Sequence, residues 1–286
     1  IYNNKKMYTK AQEIGETLND YEILSTKVID SYRTFKKVKS KKNNKIYSMK
    51  IVDFNKIKDL REKKLALNEQ KLIQDLDNPH IIKYHHSFLD VSTNKLYIIM
   101  ELISNETLED LIKVYMEIGK PIPQEEVLDI FYQCAAGVYY CHRKNLIHRD
   151  IKPRHLFLIN KKEIKIGGFG VSVDEKKRGE LNKLIVRTPR YMAPEMFTDK
   201  GYDSKVDVYA LGCTFHILCY FSLPRDFITI PDMYGLREEI VDVDKVRFKN
   251  WDYYDQSIKN LIYQMIDRNP VTRLSSAEVL NKIKEI

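Results

Sequence analysis

The pattern of apolar and polar residues is mostly strand-like along the first third of the chain, from Tyr21 to about Met100. Its segments are rich in β-branched and aromatic residues, which favours strands. One stretch differs, because apolar residues at near-helical spacing predict a helix over about 56–76. The two asparagines before Lys45 predict a hairpin turn. The strands are predicted at 21–29, 33–40, 45–53, 83–90 and 95–102.

The pattern changes to a helical period after Glu101. Thr107 and Gln124 are typical of helix starts and Gly119 of a helix end. Helices are predicted at 107–119 and 125–144 and near 204–222, 256–266 and 275–284, with short strands near 156–159 and 163–166. The pattern predicts one bilobal α+β domain. It consists of a polar extension (1–20), a small β-rich lobe with one main helix (21–101) and a larger, mostly helical lobe (102–286).

The composition is that of a globular protein. Of the 286 residues, 43% are hydrophobic and 11% aromatic, which is enough to form a core. No apolar run approaches the ~20 residues that span a bilayer, so no membrane span is expected. The four cysteines lie in apolar helical stretches without metal-ligand spacing. They indicate buried, reduced thiols in an intracellular protein, cytoplasmic or alternatively nuclear.

The positive charge is concentrated near the N-terminus. Residues 1–100 hold 20 basic and 12 acidic side chains, a net charge of +8, whereas residues 101–286 hold 28 of each. The densest run, 33–50, contains no acid. Such a run can bind nucleic acid, an acidic protein or a membrane surface. A solvated strand pair is the favoured interpretation, because no aromatic-interleaved RNA-binding motif accompanies the charge. An acidic or polyanionic partner at this region remains the alternative.

The segment LIHRDIKPRHLFL places His148, Arg149 and Asp150 in a loop after a long helix. Here the chain resembles the eukaryotic protein kinase family, over about residues 21–284. In that family the catalytic loop follows the pattern His-Arg-Asp-x-Lys-x-x-Asn. The resemblance implies that Asp150 receives the proton of a substrate hydroxyl and that Lys152 marks the serine/threonine branch.

Other segments resemble motifs of the same family, in the same order. Lys50, in YSMK, resembles the strand lysine that contacts the nucleotide phosphates, and Glu69 resembles its helical partner. Met100 resembles the gatekeeper residue, followed by Glu101 and Ile103 in the nucleotide cleft. The resemblance places the Lys50–Glu69 pair and the catalytic loop on opposite walls of one cleft.

The second half of the chain carries the later motifs. Thr188 and Glu195, in RTPRYMAPE, resemble the end of the activation segment. The resemblance implies that Asp207 braces the catalytic loop and that Arg273 pairs with Glu195. Residues 173–187 contain no Ser, Thr or Tyr, so this stretch offers no acceptor for phosphorylation.

The family pattern is broken where phosphates and metal ions would bind. The two Mg²⁺ ligand positions of the family are occupied by His155 and Gly168, so we expect no magnesium site. The family's glycine-rich loop aligns with VIDSYR, where Val28, Asp30 and Arg33 replace the three glycines. Side chains there hinder phosphates and Asp30 repels them, although an inward Arg33 would offset that repulsion.

The predicted walls of the adenine pocket are Phe35, Ser48 and Phe157, and we hypothesise that the two phenylalanines partly replace adenine. The resulting interpretation is a pseudokinase that acts as a scaffold or allosteric regulator of protein partners, with weak ATP binding and no Mg²⁺. The alternative is an atypical serine/threonine kinase that works slowly, without metal, through Lys50, Asp150 and Lys152. The oligomeric state stays open.

Overall fold

The fold is described from a computed structural model. It describes residues 16–104, 106–160, 162–176, 189–198, 201–224 and 253–286. The backbone contacts divide into two compact units. The first comprises the described residues up to Asp77 together with Ile82–Ile103, and the second comprises Asn78–Ile81 and the described residues from Ser104 onward. The predicted extension (1–20) lies mostly outside the described residues.

A five-stranded antiparallel sheet forms the framework of the first unit, with strand order β1-β2-β3-β5-β4. The strands are β1 (Tyr21–Val28), β2 (Arg33–Ser40), β3 (Ile46–Asp53), β4 (Tyr84–Asp90) and β5 (Lys95–Glu101). Each lies within or beside its predicted range. The β2–β3 hairpin has its turn at the predicted asparagines, where Asn44 adopts a positive φ of 59°, a conformation that asparagine tolerates well.

The main helix of this unit, α1 (Leu60–Ile73), is shorter than its predicted range of 56–76. Asp59 is the N-cap, and its carboxylate accepts a hydrogen bond from the backbone N–H of Arg61. The preceding segment, Phe54–Lys56, forms a separate 3-10 turn that buries Phe54. Apolar residues at near-helical spacing occur on both sides of Asp59, which is why the predicted range was too long. The capping hydrogen bond of Asp59 determines where the helix begins.

One face of the sheet packs into an aromatic and aliphatic core. The rings of Tyr21 and Phe88 stack with centroids 6.3 Å apart, and those of Phe88 and Tyr97 with centroids 4.8 Å apart. Val38, Met49, Ile51 and Ile99 complete this buried cluster. The opposite face carries Lys50 in β3 between Phe35 in β2 and Ile98 in β5. The strand alternation therefore directs Lys50 to the face opposite this core.

Six α-helices lie in the described part of the chain, and five of them belong to the second unit. These are α2 (Leu108–Ile118), α3 (Gln124–Arg143), α4 (Lys205–Tyr220), α5 (Gln256–Met265) and α6 (Ser276–Glu285). The predicted ends of α2 are confirmed, since Thr107 and Asp110 form a capping box and Gly119 ends the helix at a positive φ of 71°.

Two short antiparallel strand pairs complete the second unit. The first is β6 (Leu146–Ile147) with β9 (Val173–Asp174), and the second is β7 (Leu156–Ile159) with β8 (Glu163–Ile166). The rings of Phe131 in α3 and Phe215 in α4 stack in the core with centroids 3.6 Å apart. Together the two units form an α+β fold with a sheet-based N-terminal lobe and a helical C-terminal lobe.

The four cysteines, Cys134, Cys141, Cys213 and Cys219, are free and buried, as predicted. Burial raises the pKa of each thiol above its usual value, so the thiols stay protonated at neutral pH. None of the described helices is both long and apolar enough to cross a membrane.

Candidate functional site

The Lys50–Glu69 pair is formed inside the first unit. Nζ of Lys50 lies 2.6 Å from both carboxylate oxygens of Glu69, and both side chains are buried. Strand β3 and helix α1 supply one partner each, so the pair requires the helix to pack on the sheet. A buried ion pair with both oxygens engaged is a rigid element, because removing either partner leaves an uncompensated buried charge.

A second contact in this unit joins Ser48 to Ile103. The hydroxyl oxygen of Ser48 accepts a hydrogen bond from the backbone N–H of Ile103 at 2.9 Å. Met100, the predicted gatekeeper, is buried in β5 directly opposite Ser48. The next residue, Glu101, accepts a hydrogen bond through its carboxylate from the backbone N–H of Lys83 at 2.6 Å. One backbone donor of the predicted nucleotide cleft is thus already bound by a side chain.

The loop between β1 and β2 is closed by its own ion pair. The guanidinium of Arg33 contacts the Asp30 carboxylate at 2.6 and 2.7 Å. The same carboxylate accepts hydrogen bonds from the backbone N–H groups of Tyr32 and Arg33. Burial alone would raise the pKa of Asp30, but the hydrogen bonds and charge of Arg33 outweigh it and lower the pKa. Arg33 therefore compensates the charge of Asp30 by pairing with it inside the loop. Val28, at the end of β1, is 70% exposed.

The catalytic loop of the second unit is organised around the buried Asp207. One carboxylate oxygen accepts the backbone N–H of His148 and the other that of Arg149, each at 2.7 Å. Nε2 of His142 lies 3.0 Å from the first of these oxygens. Burial alone would raise the pKa of Asp207, but its hydrogen bonds with His142 and the backbone outweigh it and lower the pKa. Helix α4 thus fixes the backbone of the His-Arg-Asp segment.

The imidazole of His148 links the catalytic loop to the glycine turn after β8. Its Nε2 lies 2.8 Å from the carbonyl oxygen of Gly167, and its Nδ1 lies 3.2 Å from the backbone N–H of Asp150. These partners require a neutral ring with the proton on Nε2. Burial lowers the pKa of His148, which favours this form. The ring of Phe169 packs edge-on against it, with centroids 4.7 Å apart.

The carboxylate of Asp150 lies between two basic side chains. One oxygen is 2.9 Å from Nζ of Lys152, and the other is 3.4 Å from Nδ1 of His155. The structure thus brings together three of the predicted site residues. A carboxylate beside an ammonium group has the chemistry to accept a hydroxyl proton within hydrogen-bond reach.

His155 fills the space that a side chain at position 168 would occupy. Gly168 has a φ of +83°, and a Cβ placed on it would lie 2.5 Å from Cγ and 2.8 Å from Cε1 of His155. The ring is held there because Nδ1 lies 2.8 Å from the carbonyl oxygen of Asp150. Burial lowers the pKa of His155 to about 4, so the ring is neutral at pH 7 and Nδ1 carries the donated proton.

These residues do not fit a magnesium site of the kind that the family uses. Gly168 has no ligand atom, and the Nδ1 edge of His155 is engaged with Asp150. Mg²⁺ requires octahedral coordination, mainly by oxygen. Across the residues that the structure describes, no group of three or more His, Cys, Asp or Glu side chains is placed to hold a metal ion.

Arg149, the middle residue of the His-Arg-Asp segment, contacts the base of the activation segment. Its Nε donates to the carbonyl oxygen of Val171 at 2.6 Å, and a guanidinium nitrogen donates to the hydroxyl of Tyr202 at 2.9 Å. The carboxylate of Glu175, in the same segment, accepts the backbone N–H of Ser204 at 3.0 Å. Thr188 lies outside the described residues.

The ion pair implied for Glu195 and Arg273 is present. The guanidinium approaches the two carboxylate oxygens at 2.5 and 3.0 Å, and the side chain of Arg273 is fully buried. The guanidinium also lies over the ring of Tyr209, 4.8 Å from its centroid. This pair therefore ties the end of the activation segment to the segment before α6.

The two predicted pocket phenylalanines belong to different units. Phe35 is half-buried in β2, and Phe157 is half-buried in β7, where it also forms a bridge with Thr107. That they fill one adenine pocket stays a prediction.

Sequence reasoning missed His142 and Tyr202. No local pattern marks either of them, because their partners lie far away in the chain.

A sheet lobe with a buried lysine–glutamate pair and a helical lobe with a braced His-Arg-Asp loop define the protein kinase class of fold. The protein kinase domain model matches residues 31–283. This chain belongs to the protein kinase family.

Several serine/threonine-protein kinases are similar to this chain. Mouse Nek2 is 28% identical over 269 residues, which is 92% of this chain and 59% of that protein. Polo of Drosophila melanogaster is 29% identical over 281 residues, or 98% of this chain and 44% of polo. CBL-interacting kinase 8 of Arabidopsis thaliana is 32% identical over 253 residues, or 86% of this chain and 54% of that kinase. The chain thus spans about half the length of these relatives.

Proposed function

We propose that this chain is a pseudokinase domain, which acts through protein partners as a scaffold or allosteric regulator. The observation that supports it most is the relation between His155 and Gly168. The two positions where the family holds Mg²⁺ lack suitable ligands, and one residue fills the space of the other's missing side chain. Phosphoryl transfer depends on cations over the phosphate oxygens, and loss of such charge costs roughly 10³–10⁵ in rate.

Two further features of the first unit support weak nucleotide binding. The backbone N–H of Ile103 is already bound by the Ser48 hydroxyl, so a purine must displace that bond to use it. The β1–β2 loop carries the Asp30–Arg33 pair instead of glycines, which keeps its backbone away from phosphates. ATP binding, if retained, is proposed to be weak and independent of Mg²⁺.

An intracellular location forms part of the proposal, because four free cysteines are typical of a reducing compartment. The stretch 173–187 offers no hydroxyl for phosphorylation, so we propose that its state is fixed or set by a partner. The roles of the retained Asp150 and Lys152 are proposed to be structural.

A second candidate is an atypical serine/threonine kinase that works without Mg²⁺. The favouring observations are the formed Lys50–Glu69 pair and the contact of Asp150 with Lys152. The relatives are serine/threonine-protein kinases by name. Slow transfer would then rely on lysine ammonium groups for phosphate charge.

Thermal unfolding with ATP, alone and with Mg²⁺ or Mn²⁺, separates the two candidates. The pseudokinase predicts little stabilisation and no dependence on metal. Metal-dependent stabilisation by several degrees would overturn it.

Radiolabelled phosphotransfer provides the second measurement. Transfer that disappears in Asp150→Asn but persists in the exposed control Asp77→Asn would establish the kinase.

A further inference from the structure

Strand β1 exposes an edge of the five-stranded sheet. It is the first strand in the sheet order, so within the described residues one of its edges has no partner strand. All of its residues except Tyr21 are exposed. Apolar side chains lie among them, since Ile23 is 44%, Leu24 43% and Val28 70% exposed. An edge strand with exposed apolar residues can accept a further strand.

The strand register brings positive charge toward this edge. Lys37 lies opposite Ser25, and Lys36 lies opposite Thr26 on the other face. Adjacent strands are about 4.8 Å apart, and the four-carbon stem of lysine is long enough to cross that spacing over a small residue. Lys27 lies on β1 itself, on the same face as Lys37. Both faces of the edge near Ser25–Lys27 are therefore within reach of lysine ammonium groups.

The charges of these three lysines are not neutralised within the part of the chain that the structure describes. Other cations of the basic run have carboxylate partners: Arg33 pairs with Asp30, Lys42 with Glu16, and Lys50 with Glu69. No described carboxylate forms an ion pair with Lys27, Lys36 or Lys37. The edge therefore combines backbone hydrogen-bonding groups with uncompensated positive charge.

We propose that the β1 edge binds an extended acidic peptide segment of a protein partner. The backbone of Ser25–Val28 pairs with the peptide, and carboxylates on its two faces meet Lys27 and Lys37 on one face and Lys36 on the other. A register shift between Ile23 and Ser25 limits the ladder to this stretch. The proposal goes beyond phosphoryl transfer and holds whether or not the domain transfers phosphate.

Two other roles fit this surface less well. Lysines protect sheet edges from aggregation, but this edge also exposes three apolar side chains, which such protection does not require. Single-stranded nucleic acid needs exposed aromatic rings on which its bases stack. The nearby aromatic residues, Tyr32 and Phe35, are half-buried. The apolar and basic edge therefore favours an acidic peptide over RNA.

The test is fluorescence anisotropy with the full chain and a short labelled peptide that has glutamates at its centre and valines at both ends. We expect saturable binding that weakens with salt. Lys36→Glu/Lys37→Glu should weaken it about tenfold. The matched control, Lys63→Glu/Lys64→Glu on α1, changes the net charge equally and should leave it unchanged. Lys27→Glu gives an independent variant, and thermal unfolding verifies that each variant folds.

A peptide methylated at alternate backbone nitrogens distinguishes strand addition from charge attraction, because it keeps its glutamates but cannot form the ladder. We expect its binding to be lost. Equal binding of the methylated peptide, or an equal effect of the α1 control, would overturn the proposal. Tighter binding of single-stranded polyuridine than of the peptide, with the same sensitivity to Lys36→Glu/Lys37→Glu, would assign the surface to nucleic acid and overturn it too.

Discussion

The imidazole of His155 occupies the space into which a side chain at position 168 would project. The two residues lie on different segments of the second unit, and the resemblance predicts that both stand at metal-ligand positions. A side chain at position 168 is therefore sterically coupled to the residue at position 155. Changing either residue alone does not give both side chains room.

Gly168→Asp alone should destabilise the domain. The new side chain meets the His155 ring, and the residue keeps a positive φ of 83° that favours glycine. We expect a loss of about 1–3 kcal/mol in the free energy of unfolding. His155→Asn/Gly168→Asp should recover part of this loss, because the smaller side chain makes room. Denaturant unfolding of both single variants and the double variant measures the coupling, and strictly additive effects would contradict it.

Ser48→Ala should strengthen nucleotide binding, because it frees the backbone N–H of Ile103. One hydrogen bond contributes about 1 kcal/mol, so we expect roughly a fivefold lower dissociation constant for a fluorescent ATP analogue. Ser87→Ala is the control, since Ser87 is buried in the same unit and accepts a hydrogen bond from the Tyr84 hydroxyl. An equal gain in both variants would show that the Ile103 amide does not limit binding.

The stability of the domain should fall between pH 6.5 and about 4 through His155. Burial lowers its folded pKa to about 4, whereas the unfolded chain takes up the proton near pH 6.5. Its contribution to stability is therefore complete above pH 6.5 and is lost as the pH falls toward 4, by up to about 1.4 kcal/mol per pH unit. His155→Asn should reduce this loss of stability between pH 6.5 and 4. A His155 NMR signal that titrates near pH 6.5 in the folded domain would refute the assignment.

Asp207 should cause a separate loss of folding stability at lower pH. Its folded pKa is lowered, so its contribution is complete above the unfolded value of about 3.9 and is lost as the pH falls through the folded pKa. Asp207→Asn should cost about 3 kcal/mol at pH 7, because two backbone N–H groups and His142 lose a charged acceptor. The variant should also lose less stability on acidification. Urea unfolding as a function of pH tests both effects.

Glu195→Ala should destabilise the domain by about 3–5 kcal/mol, because it leaves the buried guanidinium of Arg273 without its carboxylate. The exposed pair of Lys83 and Asp77 supplies the contrast, and Lys83→Ala should change stability by less than about 1 kcal/mol. Thermal unfolding compares the two. Similar melting temperatures for both variants would mean that the buried pair contributes no more than a surface pair.

Most helices and strands could be predicted from the sequence because they depend on local patterns. Strand β2 has its predicted bounds, since turn residues flank it on both sides. Helix α2 begins after Thr107 and ends at Gly119 because capping chemistry is local. Helix α1 was predicted too long, because apolar spacing alone does not mark an N-cap.

The candidate site could be predicted only in part. The residues at the motif positions were assigned from their order, and the placing of His155 and Gly168 at metal positions stays a prediction. Their contacts could not be predicted. The bond from Ile103 to Ser48 and the loop pair of Arg33 with Asp30 depend on backbone geometry and side-chain direction that a motif does not specify.

The sequence by itself determined the family and the order of the strands and helices, because each is a property of residue type and spacing. The loss of metal ligands at positions 155 and 168 stays a prediction. Only the tertiary structure decided that His155 fills the space beside Gly168 and that His142 shares Asp207 with the catalytic loop. These relationships join segments that are distant in the chain. Packing, through steric exclusion and the need of buried polar groups for partners, brings such segments together.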